Sequence, residues 1–160
     1  MFSGCAERLT SFALAVSVLM LSACGGEEPS AEERVRALIE AMQHAVEAGS
    51  AQQSADFLHP DYTDPWHDSR RAALRSLFGV MRRHRDINLF TLVKVVELTP
   101  RQDRASAVVF VAMTGIPVQS MDALLSLQAD LYRFELELAE EKGEWRILNS
   151  RWERVDPRAL

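Results

Sequence analysis

The apolar residues of this chain change their period once, and that change sets the fold class. Up to Arg83 they recur every three or four residues, whereas from Ile87 onward they alternate. The first spacing gives helices with one buried stripe, and the second gives strands with one buried face. Helices first and strands afterwards is an α+β order, in which one sheet covers the apolar stripes of the helices.

The helical half carries its own punctuation. Ser30-Ala31-Glu32-Glu33 has capping-box spacing, followed by Val35, Leu38, Ile39, Met42, Ala45 and Val46 on one face and Gly49 as a stop. Ser50-Ala51-Gln52-Gln53 repeats the capping pattern and opens a short helix bearing Ala55, Phe57 and Leu58. A third helix is expected from Arg70 to Arg83, with Leu74, Leu77, Phe78 and Met81 as its stripe.

The strands are expected at Ile87 to Leu98 and, across the turn TPRQDR, at Ala105 to Thr114. Both carry apolar residues on both faces, which suggests central positions. Tyr132, Phe134, Leu136 and Leu138 alternate with Arg133, Glu135 and Glu137, so that strand has one wet face. After Glu141-Lys142-Gly143, the last strand shifts its apolar frame between Ile147 and Trp152, the mark of a bulge or bend. Gly115 to Ala129 is longer than a hairpin needs. Met121, Leu124 and Leu125 within it fit either a lid or an extra piece of core.

The N-terminus reads MFSGCAERLTSFALAVSVLMLSAC, with Arg8 before an apolar run from Phe12 to Leu21. Such a run is a secretory signal, too short for a membrane-spanning helix. Leu21-Ser22-Ala23-Cys24 resembles the lipobox of bacterial lipoproteins. The resemblance implies cleavage after residue 23, a lipid on Cys24, a short linker over 24–29 and a folded domain over 30–160. Gly25 after the cysteine is the pattern of lipoproteins sent to the outer membrane, facing the periplasm. The only other cysteine is Cys5, inside the signal, so a disulfide framework is excluded. A net charge of −5 argues against nucleic acid as a partner.

The element order, closing on GEWRILNSRW, resembles the nuclear transport factor 2-like superfamily, which includes SnoaL-like and ketosteroid isomerase-like proteins. The likeness runs roughly from Ala31 to Val155. It implies a cone: three N-terminal helices on a curved, mainly antiparallel sheet of four to six strands, with an apolar pocket at the open end. Tyr62, Asp64, Trp66, Phe110, Tyr132, Phe134 and Trp152 are the residues expected around that pocket. It also leaves open a homodimer through the sheet face.

One stretch concentrates chemistry. HPDYTDPWHDS, from His59 to Ser69, holds two histidines, three aspartates, Tyr62 and Trp66. FLHPDYTDPW resembles the isomerase segment in which a carboxylate before proline is the general base, which points to Asp64. The isomerase's oxyanion partners are missing here, because the first helix has no tyrosine and the strand from Ala105 to Thr114 has no acid. The favoured expectation is therefore a non-catalytic domain for a small apolar ligand or a protein partner. The rival is an isomerase- or dehydratase-like enzyme using Asp64, with Tyr62, His59 or His67 as partners. His59, Asp61, Asp64, His67 and Asp68 fit no metal-site spacing, so neither metal nor cofactor is expected. The simplest structural reading makes the stretch a hinge, with Tyr62 and Trp66 inward and Asp61 and His67 wet. The arginines of the third helix, Arg71, Arg75 and Arg82 among them, read as a solvated face.

Overall fold

The computed structural model describes residues 28–84, 86–127 and 129–156. The signal segment, Cys24, Gly25 and Arg85 lie outside the described residues. Helix α1 (Ala31–Glu47) starts at a complete capping box, in which Ser30 accepts from the Glu33 N–H and Glu33 accepts from the Ser30 N–H. It ends where Gly49 takes φ of 67° and the Ser50 N–H reaches back to the Ala45 carbonyl, a left-handed closure that favours glycine. Ser50 caps α2 (Ala51–Asp56). Strand β1 (Leu58–Thr63) follows, and then α3 (Arg70–Arg83), capped by Ser69.

The remaining strands are β2 (Asn88–Leu98), β3 (Arg104–Thr114), β4 (Leu131–Glu141) and β5 (Glu144–Val155), with the short helix α4 (Met121–Leu127) between β3 and β4. They form one five-stranded sheet in the order β1-β5-β4-β3-β2, antiparallel except that β1 runs parallel to β5. The α+β architecture expected from the period change is the one observed.

The main core lies between α1 and the inner sheet face. Val35, Leu38 and Ile39 of α1 meet Leu58 and Tyr62 of β1, Ala107 and Val109 of β3, Leu136 and Leu138 of β4, and Trp145 and Ile147 of β5. A smaller cluster of Val46, Met81 and Ile87 ties the end of α1 to α3 and the approach to β2. The cone's open end lies between these two clusters.

One expectation is corrected, and one alternative left open is decided. Strand β2 is an edge strand, not a central one. Its apolar content is two-sided because Val93, Val96 and Leu98 face the core while Phe90 packs on the outer side, and Leu92 and Val95 stay exposed. In the connection between β3 and β4, α4 is an extra piece of core through Leu124, on the sheet face opposite the inner one, while Ile116, Leu125 and Leu127 stay exposed. Leu124 of α4 is fully buried against Phe90, Phe110, Ala112 and Leu131, all on the outer face.

The frame shift in β5 is real and local. Leu138 pairs with Ile147 and Glu137 with Asn149, so Leu148 is an extra residue in the ladder. Trp145 and Ile147 face inward before the bulge, and Ser150 is the buried position after it. Without the bulge, strand alternation would turn Ser150 outward.

Because Leu124 is core, Leu124→Ala should lower the unfolding free energy by about 2–5 kcal/mol. Urea denaturation of the parent and the variant checks this; a cost below about 1 kcal/mol would mean that α4 is a detachable flap.

Candidate functional site

The site is built on the turn that follows β1. Pro65 fixes its own φ and biases Asp64 toward extended backbone, so the chain leaves β1 straight and then reverses. The reversal is closed by two backbone bonds, from the Asp64 N–H to the His67 carbonyl (3.0 Å) and from the His67 N–H to the Asp64 carbonyl (3.3 Å). The aspartate's own side chain secures it. Oδ1 accepts from the N–H groups of Trp66 (2.8 Å) and His67 (2.9 Å). An aspartate two residues before the groups it caps is the usual side-chain route to such a turn.

That turn brings the His67 ring onto the carboxylate. Nδ1 lies 2.8 Å from Oδ2 and 2.9 Å from Oδ1. The other ring nitrogen, Nε2, lies 2.7 Å from Oγ of Ser76, on the turn of α3 that faces it. On the opposite side, the Tyr62 hydroxyl donates to Oδ2 at 3.0 Å and sits 2.6 Å from Oγ of Ser150. A chain of five side chains results: Ser150, Tyr62, Asp64, His67 and Ser76. Strands β1 and β5 hold one end, the turn holds the middle and α3 holds the other end.

Asp64 is the anchor, and its side chain is 1% exposed. Burial alone would raise its carboxyl, but hydrogen bonds from His67, the Trp66 N–H and Tyr62 outweigh burial and hold it below the usual carboxylate value. The ionised form is therefore the resting form. Burial pushes the Tyr62 phenol well above its usual range, with Asp64 adding to the effect and Ser150 opposing it. Tyr62 is a neutral donor. With Asp64 ionised, the His67 proton belongs on Nδ1, which leaves the Nε2 lone pair to accept from the Ser76 hydroxyl.

The chain of polar groups forms one wall of a cavity of about 430 Å³ between α1, α3 and the inner sheet face. Its other lining is apolar, including Ile39, Met42, Leu77, Val109, Phe134 and Leu136. Of the expected pocket residues, Tyr62, Asp64, Phe134 and Trp152 line this cavity. Phe110 lies on the outer face under α4, and Tyr132 shares the inner face with Phe134 but is not part of the lining. Trp66 is 59% exposed and lies on Trp152 with ring centroids 4.1 Å apart. The expected inward Trp66 and wet His67 are thus exchanged, because the turn secured by the Asp64 side chain points residue 67 into the fold and residue 66 out of it.

The other titratable groups of the stretch go elsewhere. His59 is buried, with Nδ1 accepting from the Asp61 N–H at 3.0 Å and Nε2 lying 3.1 Å from Glu141. The hydrogen bond from His59 holds the Glu141 carboxyl below its usual value. Asp68 accepts from the Ser69 hydroxyl. Among the described residues, no three histidine, cysteine, aspartate or glutamate side chains are grouped to hold a metal ion. On α3, Arg71, Arg75 and Phe78 border a shallow groove beside Pro60, away from the cavity. Sequence reasoning missed Ser76 and Ser150. Ser76 has no signature spacing from His67, and Ser150 faces inward only because of the bulge at Leu148.

The sequence matches no protein-family model and no curated protein. The fold does match solved structures. A candidate scytalone dehydratase from Novosphingobium aromaticivorans aligns at TM-score 0.61 and 10% identity, covering 78% of this chain and 84% of that one. A candidate dehydratase of the nuclear transport factor 2-like family from Streptomyces avermitilis aligns at 0.59 and 17%, covering 78% and 95%. Bd1075 from Bdellovibrio bacteriovorus aligns at 0.59 and 8%, covering 76% of this chain but 40% of its own length. The chain has the nuclear transport factor 2-like fold, and identities this low carry the fold alone.

Tyr62→Phe removes a donor from buried Asp64 and the partner of buried Ser150, and should cost about 1–3 kcal/mol. The pH dependence has a definite sign. A phenol whose folded pKa is raised contributes stability below its ordinary value of 10.0, and that stability is lost as pH rises through the folded value. A carboxyl whose folded pKa is depressed contributes above its ordinary value of 3.8, and that stability is lost as pH falls through the folded value. Urea midpoints measured across pH should therefore show an alkaline decline in the parent that Tyr62→Phe flattens. An unchanged alkaline limb in the variant would separate Tyr62 from the decline.

Proposed function

We propose that the domain encloses a small, largely apolar ligand carrying one polar group, which docks against His67 and Ser76. The observation that supports this most is the five-residue hydrogen-bonded chain on one wall of an otherwise apolar cavity. A volume of about 430 Å³ is within the range of small-molecule sites, which are mostly apolar with a few convergent polar groups. A cavity that served packing alone would gain nothing from a buried ionised carboxylate, which is costly unless several donors meet it.

A second reading is enzymatic, a proton-transfer reaction such as an isomerisation or dehydration, and the geometry shifts its roles. Asp64 is already engaged by four donors, so it serves better as the group that orients His67 than as the base itself. His67 would be the base, with its Nε2 lone pair on the cavity side. Two proteins of like fold are described as candidate dehydratases, which agrees with this class of chemistry.

The envelope location belongs to the same proposal. Leu21 to Cys24 supports a lipid-anchored protein, with the cavity held close to a membrane surface that could supply apolar ligands. The exposed Leu92 and Val95 on the outer sheet face would suit a second copy of the chain.

Two measurements test these points. Val111→Trp, which would fill the cavity from the inner face of β3, should weaken binding of an apolar fluorescent dye by about tenfold or more, or about 1.4 kcal/mol. Val95→Trp, on the exposed outer face, should leave dye binding unchanged. Equal dye affinity in both variants would mean that the dye, and by extension the ligand, binds elsewhere. For the anchor, Cys24→Ala should move the protein from the membrane to the soluble fraction of a Gram-negative host, and persistence at the membrane would reject lipidation.

A further inference from the structure

We propose that Ser76 is a nucleophile that accepts an acyl group from a small apolar ester or thioester held in the cavity. The proposal rests on the ligand-binding reading above and assigns a reaction to the same wall.

Three groups are joined in the order that activates a hydroxyl. Ser76 Oγ lies 2.7 Å from Nε2 of His67, and Nδ1 of the same ring lies 2.8 Å from Oδ2 of Asp64. Asp64 is buried and ionised, and it receives further hydrogen bonds from Tyr62 and the N–H groups of Trp66 and His67. That arrangement fixes the tautomer, with the proton on Nδ1 and the lone pair on Nε2 aimed at the Ser76 hydroxyl. A serine, a histidine and a carboxylate are recognised as a catalytic unit by this geometry and by these roles, whatever their order in the chain or their fold. Tyr62 and Ser150 extend the chain on the far side and hold the aspartate in place, as positioning residues.

The step balances without an outside oxidant or reductant. Oγ attacks the acyl carbonyl carbon while His67 Nε2 takes the Ser76 proton. The carbon–oxygen or carbon–sulfur bond to the leaving group then breaks, and His67 returns the proton to that group. Water, deprotonated by His67, hydrolyses the acyl-serine and regenerates the free hydroxyl. Ser76 and His67 both line the cavity, so the apolar acyl part can lie among Leu77, Val109 and Phe134 while its carbonyl meets Oγ.

The position of Ser76 also limits the substrate. It lies inside α3, where backbone N–H groups are committed to helical bonds and give little help to a developing oxyanion. Acyl groups with a good leaving group, thioesters or aryl esters, therefore fit better than amides. His67 is 19% exposed at its side chain, enough for water to enter at the deacylation step.

The test treats the full-length protein with an alkyl fluorophosphonate and maps the adduct by tandem mass spectrometry, with apolar dye binding measured in parallel. Expected is a single adduct on Ser76. Labelling should fall by about a hundredfold or more in Ser76→Ala and in His67→Gln, the range a positioned general base supplies. Urea midpoints of both variants establish that they are folded. Dye binding without labelling of Ser76 would overturn the nucleophile and leave the ligand-binding reading standing, whereas failure of dye binding would overturn both. Labelling that persists in folded Ser76→Ala would likewise overturn the assignment.

Discussion

A carboxylate that is almost wholly buried sets the terms for everything around it. Removing Asp64 from water without compensation would cost many kcal/mol, and the carboxyl would take up a proton instead. It stays ionised because four donors converge on it, from Tyr62, Trp66 and twice from His67. Each donor in turn constrains part of the fold. The two backbone donors require the tight reversal after β1, the tyrosine requires β1 to lie beside β5, and the histidine ring requires α3 to pass within reach of Nε2.

The cavity's character follows from the same constraint. The described polar groups on this wall are spent largely on one another, so a ligand in the cavity would meet mainly apolar surface, with His67 and Ser76 at one edge. Trp66, tilted on Trp152 at 4.1 Å, and Phe134, stacked on Trp152 at 5.5 Å, add an aromatic rim in which Trp66 is exposed and Trp152 lines the cavity. In the proposed reading binding and chemistry share one wall, and the opposite face of the sheet carries the cluster under α4.

Much of the fold was legible because it is written in local signals. Ser30, Ser50 and Ser69 each cap the helix that the hydrophobic period predicts, and the bulge of β5 shows in the broken alternation of its apolar residues. What could not be read were relations between distant parts of the chain. Strand β2 looks central by composition, yet it is an edge, because its two-sided apolar content reflects α1 packed on one face and the α4 cluster on the other, not strands on both sides. The site was legible at Asp64 and Tyr62 and misread at positions 66 and 67. No periodicity governs a turn held by its own side chain, so the inward residue there is decided by hydrogen bonds, not by hydrophobicity. Ser76 carries no sequence signal, since it depends on how α3 passes the turn, and for Ser150 the bulge was visible but not which residue it would turn inward.

The central claim is that ionised Asp64 locks His67 into one tautomer, with the proton on Nδ1 and the Nε2 lone pair turned toward Ser76. Nitrogen-15 NMR of the His67 imidazole, at a pH where the ring is neutral, measures this directly. Expected is a protonated Nδ1 and an unprotonated Nε2 in the parent, with that preference weakened in Asp64→Asn. A ring protonated at Nε2, or one averaging between tautomers as a solvent-exposed histidine does, would contradict it.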